Sequence, residues 1–265
     1  MHWAHLRRGQ LDALSRLTPV ILPLAATEQH GEHLPLATDY LIGEAIVERL
    51  NQAMDDRLLV LPTLRVGCSE HHMKFPGSLT LSHETYRRWV TDVIDSAVRH
   101  GFRRFLLFNS HGGNFAINSL LTEELGQRYP DAEVVMTNWW TLATPALREL
   151  QEGGLGSVGH ACEFETSVMQ VIAPQLVDMQ LAEDGGIQHR APMLAADLLH
   201  RPPAAAYRPF HELSQNGVYG KPSLASPEKG ERVLTAAVQA ARELIGQLWP
   251  ETTQDASPRQ SAQGL

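Results

Sequence analysis

Apolar positions along the chain fall into short unbroken runs and helical stripes, and the two alternate. Val20-Ile21-Leu22-Pro23-Leu24-Ala25-Ala26, Leu58-Leu59-Val60-Leu61-Pro62, Phe105-Leu106-Leu107-Phe108 and Val134-Val135-Met136 predict strands over about 19–25, 58–62, 103–108 and 133–137. Continuous runs of this kind suit strands covered on both faces. Leu41, Ile42, Ala45, Ile46 and Leu50 repeat at helical spacing. So do Tyr86, Trp89, Val90, Val93, Ile94, Ala97 and Val98, then Ile117, Leu120, Leu121 and Leu125. A helix over about 163–173 would bury Phe164, Val168, Val171 and Ile172, and Val233 to Leu248 carries a strong terminal stripe. Leu11, Leu14 and Leu17 predict a short helix covering a sheet edge. Strand and helix alternate throughout, which predicts a mostly parallel sheet with helices on both faces.

The polar stretches carry the chemistry. Thr27 to Asp39 follows the first strand directly, and Asn109-Ser110-His111-Gly112-Gly113-Asn114 follows the third. Both therefore stand at the carboxyl ends of strands, where open α/β sheets place their sites. Asp39 also suits a helix N-cap. The long connection over 66–81, with Glu70, His71 and His72, is of a length that usually carries function inside a compact domain. A flexible glycine run over 153–159 leads into His160-Ala161-Cys162-Glu163-Phe164-Glu165-Thr166-Ser167. Glu163 and Glu165 point about 200° apart on a helix, so one of them faces a site. Residues 182–227 have weak periodicity and read as surface loops or an oligomer contact, and 251–265 reads as a disordered tail beyond one domain over 1–250.

The 265 residues are 43% hydrophobic, enough for a proper core, and the formal charge of -8 disfavours nucleic acid and anionic membrane as partners. Two cysteines form no disulfide framework, no run is long enough to span a membrane, and the N-terminus lacks a signal-peptide core. A cytoplasmic protein is expected.

Glu28, His30 and Asp39, then His111, then His160, Glu163 and Glu165 offer a mixture of imidazole and carboxylate that suits Zn, Mn or Fe. Each alone also has a structural reading, as a hydrogen-bonded core histidine or a solvated loop carboxylate. Cys162 beside His160 raises a thiol nucleophile as a rival, without a convincing third member. His33 and Glu32 are expected to support the site or be structural.

Together, Glu28-Gln29-His30-Gly31 with Asp39, Asn109 to Asn114, and His160 to Ser167 resemble the creatininase (creatinine amidohydrolase) family, over about 18–248. The resemblance implies a three-layer α/β/α sandwich, two divalent metal ions per subunit with zinc first and manganese or iron as alternatives, and commonly a homohexamer. It implies hydrolysis of a non-peptide C–N bond, amide, cyclic amide or formamide, in a small molecule. Glu28, His30, Asp39 and His111 become metal ligands, with Asp39 bridging, and His160 the proton carrier. Creatininase has a glutamate where this chain has Gly113, so a fifth ligand is needed; Glu163 is the expected replacement, with a catalytic part as well, and Glu165 the alternative. Gly159 and the 153–159 segment also depart from creatininase beside its substrate. Trp139 matches an aromatic near the family pocket, and with His72 is the expected substrate contact. A maturation peptidase for a peptide-derived redox cofactor, or a non-catalytic metal-dependent binding protein on the same fold, are the alternative functions.

Overall fold

The computed structural model describes residues 1–187 and 191–252. Strands β1 (Val20–Leu24), β2 (Leu59–Val60), β3 (Arg104–Asn109) and β4 (Glu133–Asn138) form one sheet in the order β2-β1-β3-β4, with every pairing parallel. Leu24 is level with Asn109, and Asn109 with Asn138, so three strands end together along one rim. Pro23 sits in β1 without disturbing the ladder. Its carbonyl accepts from Leu64 on the side where β2 has already ended, so its missing N–H has no partner to disappoint.

Around the sheet lie helices α1 (Arg8–Asp12), α2 (Thr38–Ala53), α3 (His83–Arg99), α4 (Phe115–Arg128), α5 (Trp139–Leu142), α6 (Thr144–Leu150), α7 (Glu163–Ile172), α8 (Phe210–Leu213) and α9 (Pro227–Leu248). A small antiparallel pair, β5 (Val158–His160) and β6 (Tyr219–Gly220), stands apart from the sheet. Alternation along the strands divides the interior in two. Ile21, Leu106 and Phe108 face α2, α7 and α9, packing on Ile42, Ile46, Phe164, Val168, Val233 and Ile245. Val20, Leu22, Leu24, Phe105 and Leu107 face α3 and α4, packing on Tyr86, Val90, Ile94 and Leu121. Each such side chain contributes about 1.5–3 kcal/mol by leaving water. The result is the expected three-layer α/β/α arrangement.

Three expectations change. The N-terminal helix stops at Asp12; Leu11 and Leu14 pack on the second core, but Leu17 is 55% exposed. Asp39 does not cap α2: it lies in the first turn, Ala37 precedes the helix without a side-chain cap, and the carboxylate is spent elsewhere. Residues 182–227 are not only surface, because Leu199, Phe210 and Val218 are buried and β6 pairs with β5. Pro250–Thr252 forms a short 3-10 turn, held where the Trp249 indole donates to Glu133 Oε2 at 2.6 Å and Arg104 pairs with Glu251. Residues 253–265, where a disordered tail is expected, lie outside the described residues. Among the described residues, no helix is long and apolar enough to cross a membrane.

Candidate metal centre

Three segments meet above the level rim of β1, β3 and β4. A network of asparagines fastens the rim: Asn109 Nδ2 donates to Asn138 Oδ1 and to the His111 carbonyl, both at 2.7 Å. Asn114 Nδ2 donates to the Ala25 carbonyl at 3.1 Å, and its Oδ1 accepts from the Cys68 amide at 2.9 Å. These bonds tie the loop after β1, the second motif and the 66–81 connection to one another. Gly113 has to be glycine in this packing, because a Cβ there would stand 2.2 Å from the Cys68 carbonyl oxygen.

On this base Asp39 spans two histidines. Its Oδ1 is 3.2 Å from His30 Nε2 and its Oδ2 is 2.9 Å from His111 Nδ1. Glu28 Oε1 lies 3.3 Å from His111 Nδ1, 3.5 Å from His72 Nε2 and 3.7 Å from His160 Nδ1. Glu165 Oε1 approaches His30 Nε2 at 4.0 Å. All of these side chains are buried. The ligand atoms of Glu28, His30 and Asp39 converge, as do those of His30, His160 and Glu165, and those of Glu28, His71 and His111.

The outer nitrogens of the histidines are already committed. His30 Nδ1 donates to the Glu28 carbonyl at 3.1 Å, His160 Nε2 to the Gln29 carbonyl at 2.7 Å, and His111 Nε2 lies 3.3 Å from the Cys68 carbonyl. Each ring therefore turns its other nitrogen toward the carboxylates, the orientation that backbone acceptors impose on metal-ligating histidines. Glu28 Oε2 and Glu165 Oε2 are buried without a hydrogen-bond partner, and the close approaches of Asp39 Oδ2 to His111 and of His30 Nε2 to Asp39 are not aligned as hydrogen bonds. Leaving such an atom unsatisfied costs about 1–3 kcal/mol. A divalent cation is the group that satisfies several at once, and the nitrogen and oxygen donors fit one.

Electrostatics follow from the same contacts. Burial opposes charge on His30, but Asp39 with Glu165 and Glu28 outweighs it and lifts the ring to about 9. Burial likewise opposes charge on His111, yet Glu28 and Asp39 hold it well above the usual imidazole value. Burial would raise Glu28, and the pull of His111 and His72 brings it well below the usual carboxylate range. Glu165 is pushed up to about 7 by burial, against the pull of His30 and of the Ala161 and Cys162 backbone. His160 is pushed well down by burial and by His30 and His72, so its ring is neutral. His72 falls to about 3 through burial, against the attraction of Glu28.

Comparison with known proteins places the chain in a family. The family described as creatinine amidohydrolase matches the chain over residues 2–245. The chain belongs to the creatininase family. It is 31% identical to the creatinine amidohydrolase of Pseudomonas putida over 247 residues, covering 88% of this chain and 90% of that one. It is 29% identical to the mycofactocin precursor peptide peptidase of Mycobacterium ulcerans over 226 residues, covering 83% and 81%. A crystal structure of creatinine amidohydrolase superposes with a TM-score of 0.78 at 29% identity, covering 94% of this chain and 98% of that chain. Manganese and zinc–zinc forms of creatininase match at 27% identity and TM-score 0.76 with 94% and 98% coverage.

Within this creatininase fold, Glu28, His30, Asp39, His111 and His160 come together, and Glu163 does not join them. Glu163 turns instead to Lys229, whose Nζ is 3.2 Å from its Oε1, and accepts from the Glu152 amide at 3.1 Å. The helix geometry that separates the two glutamates sends Glu165 to the cluster. Trp139 is also misplaced as a substrate contact: it is 1% exposed, lies edge-on to Trp140 and packs in the core beneath α9. His33 reaches Thr166 Oγ1 at 2.9 Å rather than the cluster, and Glu32 is exposed. His72 lies deeper than a pocket mouth, 1% exposed and stacked on Phe210 with ring centroids 4.3 Å apart. Phe210 also meets His160 edge-on at 5.0 Å. Nothing in the weak periodicity of 182–227 singles out Phe210, and only the doublet His71-His72 hinted at its neighbour.

Proposed function

We propose that the chain is a metal-dependent amidohydrolase that cleaves a non-peptide C–N bond of a small molecule. Asp39 carries the two-metal part of this reading, because a carboxylate with one oxygen at His30 and the other at His111 could be shared by two cations. Glu28 and His111 would hold one ion and His30 and Glu165 the other, with Glu165 taking the place expected of Glu163. Zinc suits this donor set first, with manganese or iron as alternatives. Two bound divalent ions would supply an activated water at neutral pH and charge stabilisation for the oxyanion.

The chain's own residues handle the proton. His160 is neutral, its Nε2–H is committed to the Gln29 carbonyl, and its Nδ1 is bare toward the cluster. It therefore enters as an acceptor at Nδ1. It takes the proton released as the water attacks, then delivers it to the departing nitrogen as the C–N bond breaks. Phe210, seated on His160 and His72, keeps bulk water from that transfer.

Two of the relatives name a small cyclic amide and a precursor peptide, so the deciding experiment covers both. Metal analysis of the purified and zinc-reconstituted protein is combined with a panel of creatinine, cyclic ureides, formamides and short peptides. We expect two equivalents of metal per chain and turnover of a non-peptide amide. Fewer than one equivalent would sink the two-metal reading, and turnover of peptides alone would replace the substrate class with that of the maturation peptidase.

A further inference from the structure

One glutamine decides what two histidines do. The Gln29 carboxamide is oriented by backbone groups whose roles are fixed: its Oε1 accepts from the Gly31 amide at 3.0 Å and its Nε2 donates to the Gly217 carbonyl at 3.0 Å. Gly217 is shaped for this contact. It has φ +72°, and a Cβ there would stand 2.2 Å from Gln29 Oε1.

The second hydrogen of Nε2 has two neighbours, His72 Nδ1 at 2.8 Å and His160 Nε2 at 3.1 Å. His160 Nε2 already carries a hydrogen, because it lies 2.7 Å from the Gln29 carbonyl, which only accepts. The amide hydrogen therefore goes to His72 Nδ1. With Nδ1 accepting, the ring carries its proton on Nε2, the atom 3.5 Å from Glu28 Oε1. Stacking on Phe210 at 4.3 Å holds the ring in that plane.

We propose that Gln29 sorts the two histidines facing Glu28, presenting His160 through a bare Nδ1 and His72 through an Nε2–H that faces the Glu28 carboxylate and from there serves the carbonyl oxygen of the bound amide. His72 is then a donor to the substrate and not a metal ligand, although its position beside Glu28 and His160 resembles that of one. A donor already in place where oxyanion charge develops needs no reorganisation during reaction. The substrate must accordingly offer a carbonyl acceptor on the Phe210 side of the cluster. This assignment of substrate contact rests on the amidohydrolase reading, whereas the sorting itself rests on the hydrogen bonds.

Histidine-¹⁵N NMR of the zinc-loaded protein tests the sorting directly. We expect His72 protonated at Nε2, and in Gln29→Met a mixture of its two tautomers. A His72 ring protonated at Nδ1 in the wild type overturns the proposal. His72→Phe, which keeps the stacking on Phe210, is expected to retain the wild-type zinc content while kcat falls about 10²–10³-fold, the loss that follows removal of one oxyanion donor. Loss of a zinc equivalent makes His72 a ligand, and unchanged kcat makes its proton idle; either overturns the donor role. Should the wild type turn over no amide, the amidohydrolase reading falls and the substrate assignment with it, while the NMR and the zinc content still decide the sorting.

Discussion

Glu163 and Glu165 leave the same first turn of α7, and both are buried, yet they serve opposite sides of the helix. Glu163 is answered by the chain itself, through the Lys229 ammonium and the Glu152 amide, and Lys229 is held in turn by Glu152 Oε1 at 2.9 Å and the Leu224 carbonyl at 2.7 Å. Among the described residues, Glu165 has no ammonium beside it. His30 stands 4.0 Å from its Oε1, and its Oε2 is unpartnered. One oxygen of Glu163 is unpartnered as well, so burial and an orphaned oxygen do not by themselves mark a ligand. The nearest cation does: a carboxylate already neutralised by an ammonium has little left to offer a metal, and one facing only histidines that are themselves ligand candidates has everything.

The contrast breaks first at Glu165. Glu165→Gln should lose metal from the His30 side and cut turnover by about 10³-fold or more, the scale implied by several kcal/mol of lost charge stabilisation. Glu163→Gln should keep the full metal content; the reverse pattern, read by metal analysis of both variants, would restore Glu163 as the ligand. A smaller loss of turnover, about 10²–10⁴-fold according to how much of the proton transfer the ring carries, is expected for His160→Ala with its metals retained. Full activity there would remove His160 from the mechanism, and a missing metal equivalent would make it a ligand.

Lys229→Met sharpens the other side of the contrast. It strands Glu163 as a buried carboxylate, which should destabilise the fold by about 3–5 kcal/mol in urea unfolding. Metal content measured under folding conditions should not change. Coupled loss of metal and stability would show that the two carboxylates are not independent.

Much of this was legible in the linear chain. Buried parallel strands write themselves as unbroken apolar runs, their carboxyl ends mark the loops that carry Glu28, His30, Asp39 and His111, and amphipathic stripes announce α2, α3, α4, α7 and α9. These are local signals, set by which faces of a strand or helix must leave water. The sequence also determined that only one of Glu163 and Glu165 faces the site, since that is a matter of helical pitch.

Which of the two it is depended on Lys229, far along the chain, and only tertiary packing brought it there. The same holds for Trp139, sent into the core at the end of β4, and for Phe210, carried from a stretch without periodicity onto His72 and His160. The orientation of Gln29 is set by Gly31 and Gly217, one a near neighbour in the chain and the other far along it. Apolar pattern reports burial, whereas the role of a buried polar group is decided by its partner, and partners are chosen in three dimensions.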